Sequence, residues 1–187
     1  MYEVEVKVRA DHTAVRQKLD GAGATQVNRV VQTDTYYDAP HKDFAETDEA
    51  LRLRHEARFD GDSDTVLDEV TRLTYKGPLV DEQSKTRREY ETGVEDGETM
   101  DAICEAVGFA PAATVEKERE RFELDGYTVS LDAVSGLGEF VEVEVETESD
   151  VDSAREGAFS VLRTLGLDPG DQIRTSYLGM LLGADES

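Results

Sequence analysis

The chain opens with a strict two-residue alternation. In YEVEVKVR, Val4, Val6 and Val8 hold one phase and Glu3, Glu5, Lys7 and Arg9 the other, the period of a β-strand whose side chains point to opposite faces in turn. Further extended stretches follow: AGATQVNRVVQTDTYYD, EALRLRHEAR, VLDEVTRLTYKG, KTRREYETGV, ATVEKERERFELDGYTVSLDAV and GEFVEVEVET. The acidic turn DGDSD divides the third strand from the fourth. The long ATVEKERE stretch reads as a hairpin, because Asp125-Gly126 is a strong two-residue turn signal.

Helical spacing is confined to the connections. Asp11 and Thr13 can cap a short helix with Val15 and Leu19 inward, ending at Gly21 to Gly23, and a second runs from about Glu98 to Val107. SDVDSAREGAFSVLRTLG is amphipathic, capped near Ser149 or Asp150, with Val151, Ala154, Ala158, Val161, Leu162 and Leu165 as its apolar stripe. DPG then breaks the chain before a closing helix around RTSYLGMLL. About eight strands with hairpin-length connections and three or four helices predict an α+β fold. We expect an eight-stranded antiparallel barrel, closed or nearly closed, with helices packed outside. No linker or repeat divides residues 1–187, which read as a single domain.

The strands share a feature that an ordinary sheet does not explain. On one phase lie Glu3, Glu5, Lys7 and Arg9, then Arg52 and Arg54, Arg72, Thr74 and Lys76, Arg87 and Glu89, Lys117, Arg119 and Arg121, Ser130 and Asp132, Glu142 and Glu144. The other phase carries Val4, Val6, Val8, Leu51, Leu53, Leu73, Tyr75, Val129, Leu131, Val141, Val143 and Val145. For one strand, a charged phase is ordinarily the solvated face. Composition changes that reading. The chain has 43 acidic and 20 basic residues, a net charge of −23, and Arg in excess of Lys. Such acidity spread along the whole chain reads as salt adaptation of the kind that halophiles show. A surface of that kind favours Asp and Glu, yet half of the basic residues fall on the charged strand phase. In a closed barrel that phase can face the lumen while the valines face outward under helices. The carboxylates gather on the first and last strands, which closure would make neighbours.

A lumen so charged needs charged occupants, since unpaired buried charge is costly. A polyphosphate with a divalent cation suits both halves: guanidinium and ammonium groups grip phosphate, and carboxylates hold Mg²⁺ or Mn²⁺. The acidic exterior argues against a nucleic-acid partner. Cys104 is the only cysteine, so no intramolecular disulfide is possible and a buried structural thiol is the expectation. No run of eighteen apolar residues or signal sequence is present, so a cytoplasmic protein without a membrane partner is expected.

In order along the chain, QTDTYYDAP, DFAETDEALRLR, LTYKGP, KTRREYE, VEKERERFEL, LDAVSGLGEFVEVEVE and SYLGMLL follow the opening Glu3-x-Glu5-x-Lys7. This series resembles the CYTH superfamily, the triphosphate tunnel metalloenzymes, in its class IV adenylate cyclase-like branch. The resemblance implies a tunnel that binds a triphosphate with Mg²⁺ or Mn²⁺. It matches Glu3, Glu5, Glu142 and Glu144 to metal-binding acidic positions, and Asp132 to a ligand or supporting position beside the metal. It matches Lys7, Arg52, Arg54, Lys76, Arg87, Lys117 and Arg119 to phosphate-binding positions, with Arg121 and Arg9 extending the pattern. Glu3, Glu5, Lys7, Lys76 and Arg119 are the catalytic candidates. The implied reaction converts ATP to cyclic AMP and pyrophosphate. Hydrolysis of a terminal phosphate of tripolyphosphate, thiamine triphosphate or a nucleotide is the alternative, and a non-catalytic polyphosphate or nucleotide binder the third reading. A homodimer is expected from the resemblance alone. His12, His41 and His55 read as surface or structural residues, although His41 and Tyr37 lie in a block near the tunnel mouth; Tyr177 is expected to pack the closing helix.

Overall fold

The computed structural model describes residues 2–60 and 63–185. Gly61 and Asp62, in the acidic turn read between the third and fourth strands, lie outside the described residues. The strands are β1 (Tyr2–Arg9), β2 (Thr25–Asp38), β3 (Ala50–Phe59), β4 (Val66–Leu79), β5 (Lys85–Val94), β6 (Ala110–Leu124), β7 (Tyr127–Val134) and β8 (Gly138–Thr147). They close into an antiparallel barrel in the order β1-β5-β4-β3-β2-β6-β7-β8, with β8 returning to β1. Closure sets the acidic strands side by side, with Glu5 opposite Glu144 and Lys7 opposite Glu142. On its other edge β1 faces basic residues, Glu3 opposite Arg87 and Glu5 opposite Lys85.

Local chemistry sets the punctuation. Asp125 and Gly126 both take positive φ, 53° and 81°, as a two-residue turn matching the strand twist requires. Asp11, Asp96 and Asp150 cap α1 (His12–Ala22), α3 (Gly97–Ala106) and α4 (Val151–Thr164) by accepting from backbone N–H groups of the first turn. The αL residue Gly23 ends α1. A one-turn helix, α2 (Phe44–Thr47), is capped by Asp43 and was not expected from periodicity. The closing helix is α5 (Tyr177–Asp185). No helix among the described residues is long and apolar enough to cross a membrane.

The valine phase does face outward. Val6, Val8, Val129, Leu131, Val141 and Val143 form one apolar cluster with Val15 and Leu19 of α1 and Ala158, Val161 and Leu162 of α4. Burial of each such side chain favours folding by roughly 1.5–3 kcal/mol, and the lumen is thereby freed from carrying the core. A second cluster joins Val115, Val134 and Phe140 to Tyr177 of α5, and a third places Tyr37, Leu53 and the buried Cys104 thiol between the barrel and α3. Leu162 is fully buried between α4 and the barrel. Leu162→Ala is expected to lower stability by about 2–5 kcal/mol, read as a lower denaturant midpoint with an unchanged slope.

Candidate active site in the barrel lumen

The lumen encloses a cavity of about 250 Å³ whose wall is almost wholly ionisable. Glu3, Glu5 and Lys7 enter from β1, Asp34 and Tyr36 from β2, Arg52, Arg54 and Glu56 from β3, and Arg72 and Lys76 from β4. Lys85, Arg87, Glu89 and Glu91 come from β5, Lys117, Arg119 and Arg121 from β6, and Glu142, Glu144 and Glu146 from β8. All stand on the inward phase of hydrogen-bonded strands, so the backbone ladder fixes where each charge emerges.

Most of these charges are paired. Arg54 donates to both oxygens of Asp34 at 2.6 Å, and Arg52 stands 3.6 Å from the same carboxylate. Burial alone would raise the Asp34 carboxyl, but Arg52 and Arg54 outweigh it and hold it well below the usual range. Asp132 is fully buried and accepts two bonds from Arg119 at 2.6 Å, one from Lys117 at 3.1 Å and one from the Tyr177 hydroxyl at 2.9 Å. Arg119 also donates to Glu142. Lys76 bridges Glu3 at 2.8 Å and Glu89 at 2.7 Å, while Arg121 donates to Glu56 at 2.9 Å.

A smaller set is not satisfied. Lys7 Nζ and the Nε atoms of Arg52 and Arg87 are buried without a hydrogen-bond partner among the described residues. Lys7 Nζ lies 4.3 Å from the centre of the Tyr177 ring, and Lys117 Nζ lies 5.0 Å from it. Burial, reinforced by Lys85, pushes Lys7 down to about 8; burial and then Arg119 bring Lys117 down to about 8. Buried ammonium groups losing their protons this easily are sites that an anion would stabilise.

The carboxylates have the complementary deficiency. Glu3, Glu5 and Glu144 each offer an oxygen within 4.8 Å of the others. Glu5 Oε1 is buried with no hydrogen bond, its neighbour Lys85 Nζ standing 3.6 Å away. Burial, with Glu3, Glu142 and Glu5 nearby, raises Glu144 to about 7 against the pull of Arg119. Converging oxygen donors of like charge suit a hard divalent cation, and these three residues fit one.

The residues read from the strand pattern do not all meet. Glu3, Glu5 and Glu144 converge; Glu142 is engaged by Arg119, and Asp132 lies outside the trio with its oxygens taken by cations and Tyr177. Both carboxylates meet Arg119 instead: Asp132 is its register partner across β6 and β7, and Glu142 accepts from the same guanidinium. Lys7, Arg52, Arg54, Lys76, Arg87, Lys117 and Arg119 all line the cavity, and Arg121 lines its Glu56 end. Arg9 leaves the lumen, where β1 ends, and donates to the Leu137 carbonyl at 2.8 Å. Tyr177 packs on Phe140 as expected of the closing helix, but its hydroxyl also reaches the lumen. His41 is exposed against Phe109, and Tyr37 turns outward to Asp101. His12 bonds the Phe140 carbonyl, and His55 pairs with Glu69. Asp34, Glu56 and Lys85 were missed. The inward phase of two of them was readable, Lys85 lying two residues before Arg87 and Glu56 two after Arg54.

The closed antiparallel barrel thus forms a tunnel that gathers inward cations and a carboxylate trio. The sequence matches the CYTH domain over residues 1–177, and the chain belongs to that family. It is 36% identical over 181 residues to "Putative adenylate cyclase MJ0240" of Methanocaldococcus jannaschii, spanning 95% of this chain and 97% of that protein. The PH1819 protein of Pyrococcus horikoshii superposes with a TM-score of 0.86 at 35% identity, covering 97% of this chain and 99% of the other. HpAC1 of Hippeastrum, described by a dominant triphosphatase activity, shares the fold at 15% identity, with a TM-score of 0.68 and coverage of 98% and 95%.

Asp34→Asn leaves two buried guanidiniums without their carboxylate and is expected to cost about 3–5 kcal/mol near neutral pH. Because the folded pKa of Asp34 is depressed, its contribution is present above the unfolded value near about pH 4 and is lost as pH falls below it. Urea denaturation of wild type and variant should therefore show a gap that narrows on acidification.

Proposed function

We infer that the protein is a metal-dependent enzyme that takes a triphosphate into the barrel and, with ATP, forms cyclic AMP and pyrophosphate. The observation that carries this reading is the meeting of two features in one cavity: buried cationic nitrogens without acceptors, and a converging carboxylate trio in which Glu5 Oε1 makes no hydrogen bond. The adenylate cyclase name of the Methanocaldococcus jannaschii relative favours cyclisation.

Lys7, Arg52, Arg87 and Lys117 would bind phosphate oxygens, the arginines as planar forks and the lysines as point charges. Asp34 and Asp132 hold Arg54 and Arg119 in fixed orientations, so these donors need little rearrangement as charge develops on the phosphates. Tyr177 excludes water from the face on which Lys7 and Lys117 lie. Mg²⁺ or Mn²⁺ held by Glu3, Glu5 and Glu144 would neutralise phosphate charge and make the attacked phosphorus more electrophilic. Attack by the ribose 3′-hydroxyl on the α-phosphorus forms the cyclic ester and releases pyrophosphate. The same cationic wall would serve attack by water on a terminal phosphorus. That hydrolysis is the second reading, because the phosphate donors of the lumen impose no choice of nucleophile.

Incubation with Mg²⁺ or Mn²⁺ and, separately, ATP, tripolyphosphate and thiamine triphosphate distinguishes the reactions. Cyclic AMP with pyrophosphate marks the cyclase, orthophosphate the hydrolase. Glu5→Gln should lower turnover by at least the roughly 10–100-fold seen when groups around a metal are altered; unchanged turnover would refute the metal reading. Triphosphate binding should also take up protons at about pH 8.5, because phosphate raises the depressed Lys117 pKa and restores its charge. Calorimetry in buffers of different ionisation enthalpy should detect this uptake, diminished in Lys117→Met.

A further inference from the structure

One lumen cation stands apart from the phosphate donors. Lys85, the first residue of β5, lines the cavity beside the carboxylate trio. Its one ion-pair partner within 4.0 Å among the described residues is Glu5, with Nζ 3.6 Å from Oε1. That oxygen is buried and makes no hydrogen bond. Lys76 stands differently, pairing with Glu3 at 2.8 Å and with Glu89 at 2.7 Å. It keeps a carboxylate when Glu3 turns to a metal, whereas Lys85 keeps none when Glu5 does so.

The backbone of Lys85 is held from both sides. In the ladder it is the register partner of Glu5 on β1. Before it, the turn from β4 is buckled to the outside of the barrel. Arg155 of α4 donates to both oxygens of Asp81, at 3.2 and 3.1 Å, and the Ser84 hydroxyl donates to the same carboxylate at 2.5 Å. Arg174 donates to the Asp81 carbonyl at 2.9 Å, and the Val80 N–H to the Thr86 carbonyl at 2.9 Å. Ser84 and Thr86, on either side of Lys85, are fully buried. The strand therefore cannot carry Lys85 away from Glu5, and only the flexible four-carbon stem can move the ammonium. A divalent cation on Glu5 would repel that ammonium at close range, with little screening inside the barrel. Phosphate oxygens in the same cavity would accept it.

We propose that Lys85 is the counter-ion that a divalent cation must displace from Glu5 and that a triphosphate then receives, so that one side chain sets the affinities for metal and for triphosphate in opposite senses. The assignment rests on the tunnel reading and deepens it by naming the residue through which the two ligands meet. Removing the charge of Lys85 leaves Glu5 free for the metal and takes one donor from the phosphates.

The test is titration calorimetry at one salt concentration with two separate probes, Mn²⁺ alone and tripolyphosphate with chelator present, so that binding is read without turnover. Lys85→Met keeps the apolar stem and removes the charge. It should bind Mn²⁺ about tenfold more tightly than wild type and tripolyphosphate about tenfold more weakly. Lys85→Gln, with a polar end in place of the ammonium, should move both affinities in the same directions. Lys117→Met removes a lumen cation whose carboxylate partner is Asp132 and not a member of the trio. It should weaken tripolyphosphate while leaving Mn²⁺ within about threefold of wild type. Mn²⁺ too weakly bound to detect in wild type but measurable in Lys85→Met would equally support the proposal. Either ligand failing to move in its stated direction in both Lys85 variants, or Mn²⁺ tightening as much in Lys117→Met, would overturn it. Tripolyphosphate failing to bind wild type would instead count against the tunnel reading itself.

Discussion

The bond set around Asp132 is the constraint on which the lumen depends. Its carboxylate is fully buried and receives Arg119 through two nitrogens, Lys117 and the Tyr177 hydroxyl. Taking one carboxylate and two cations out of water is expensive, and only near-ideal geometry offsets the desolvation. The geometry comes from the sheet. Arg119 and Asp132 are register partners on β6 and β7, so their approach is set by the ladder before any side chain chooses a rotamer. The hydroxyl from α5 then ties the closing helix to the same carboxylate.

An inside-out barrel follows from that constraint. A lumen filled with charge cannot supply the apolar core, so the core must lie outside the barrel wall. Val6, Val8, Val141 and Val143 meet α1 and α4 there, and Val115 and Phe140 meet α5. The helices are thus the inner layer's counterpart in an ordinary sandwich, and the strands serve two solvents at once. This arrangement also separates stability from chemistry: a side chain in the lumen can be left unsatisfied, as Lys7 and Glu5 Oε1 are, because the outer clusters carry the folding free energy.

How much of this was legible in the sequence depended on whether period-2 information reached the residue. Glu3, Glu5, Lys7, Arg52, Arg54, Lys117 and Arg119 announced themselves because each repeats at i+2 against an apolar phase. Asp34 did not: the inward phase of β2 carries Gln32, Asp34 and Tyr36, with no cation to mark it against the neighbouring threonines. Tyr177 stands on a helix, where strand phase says nothing about the lumen, and only the docking of α5 brings its hydroxyl to Asp132. One turn of α2 is too short to show a period. Phase also could not separate Glu144, which joins the carboxylate trio, from Glu142, which joins Arg119. Both point inward, and the distinction lies in what register and barrel tilt place opposite each one.

The charge distribution presents a last physical problem for the proposed reaction, since its triphosphate would have to approach a chain with net charge −23. At an ionic strength of about 0.15 M, charges interact over roughly 8 Å, and at 1 M over roughly 3 Å. Exterior carboxylates beyond those distances contribute little to the potential at the cavity. The nearest charges decide it, and these include the buried ammonium of Lys7, which makes no hydrogen bond among the described residues. Low-dielectric walls focus such a local field. An acidic surface and the proposed phosphate-binding interior are therefore compatible because the barrel wall separates them, and the compatibility should be greatest where salt is most concentrated.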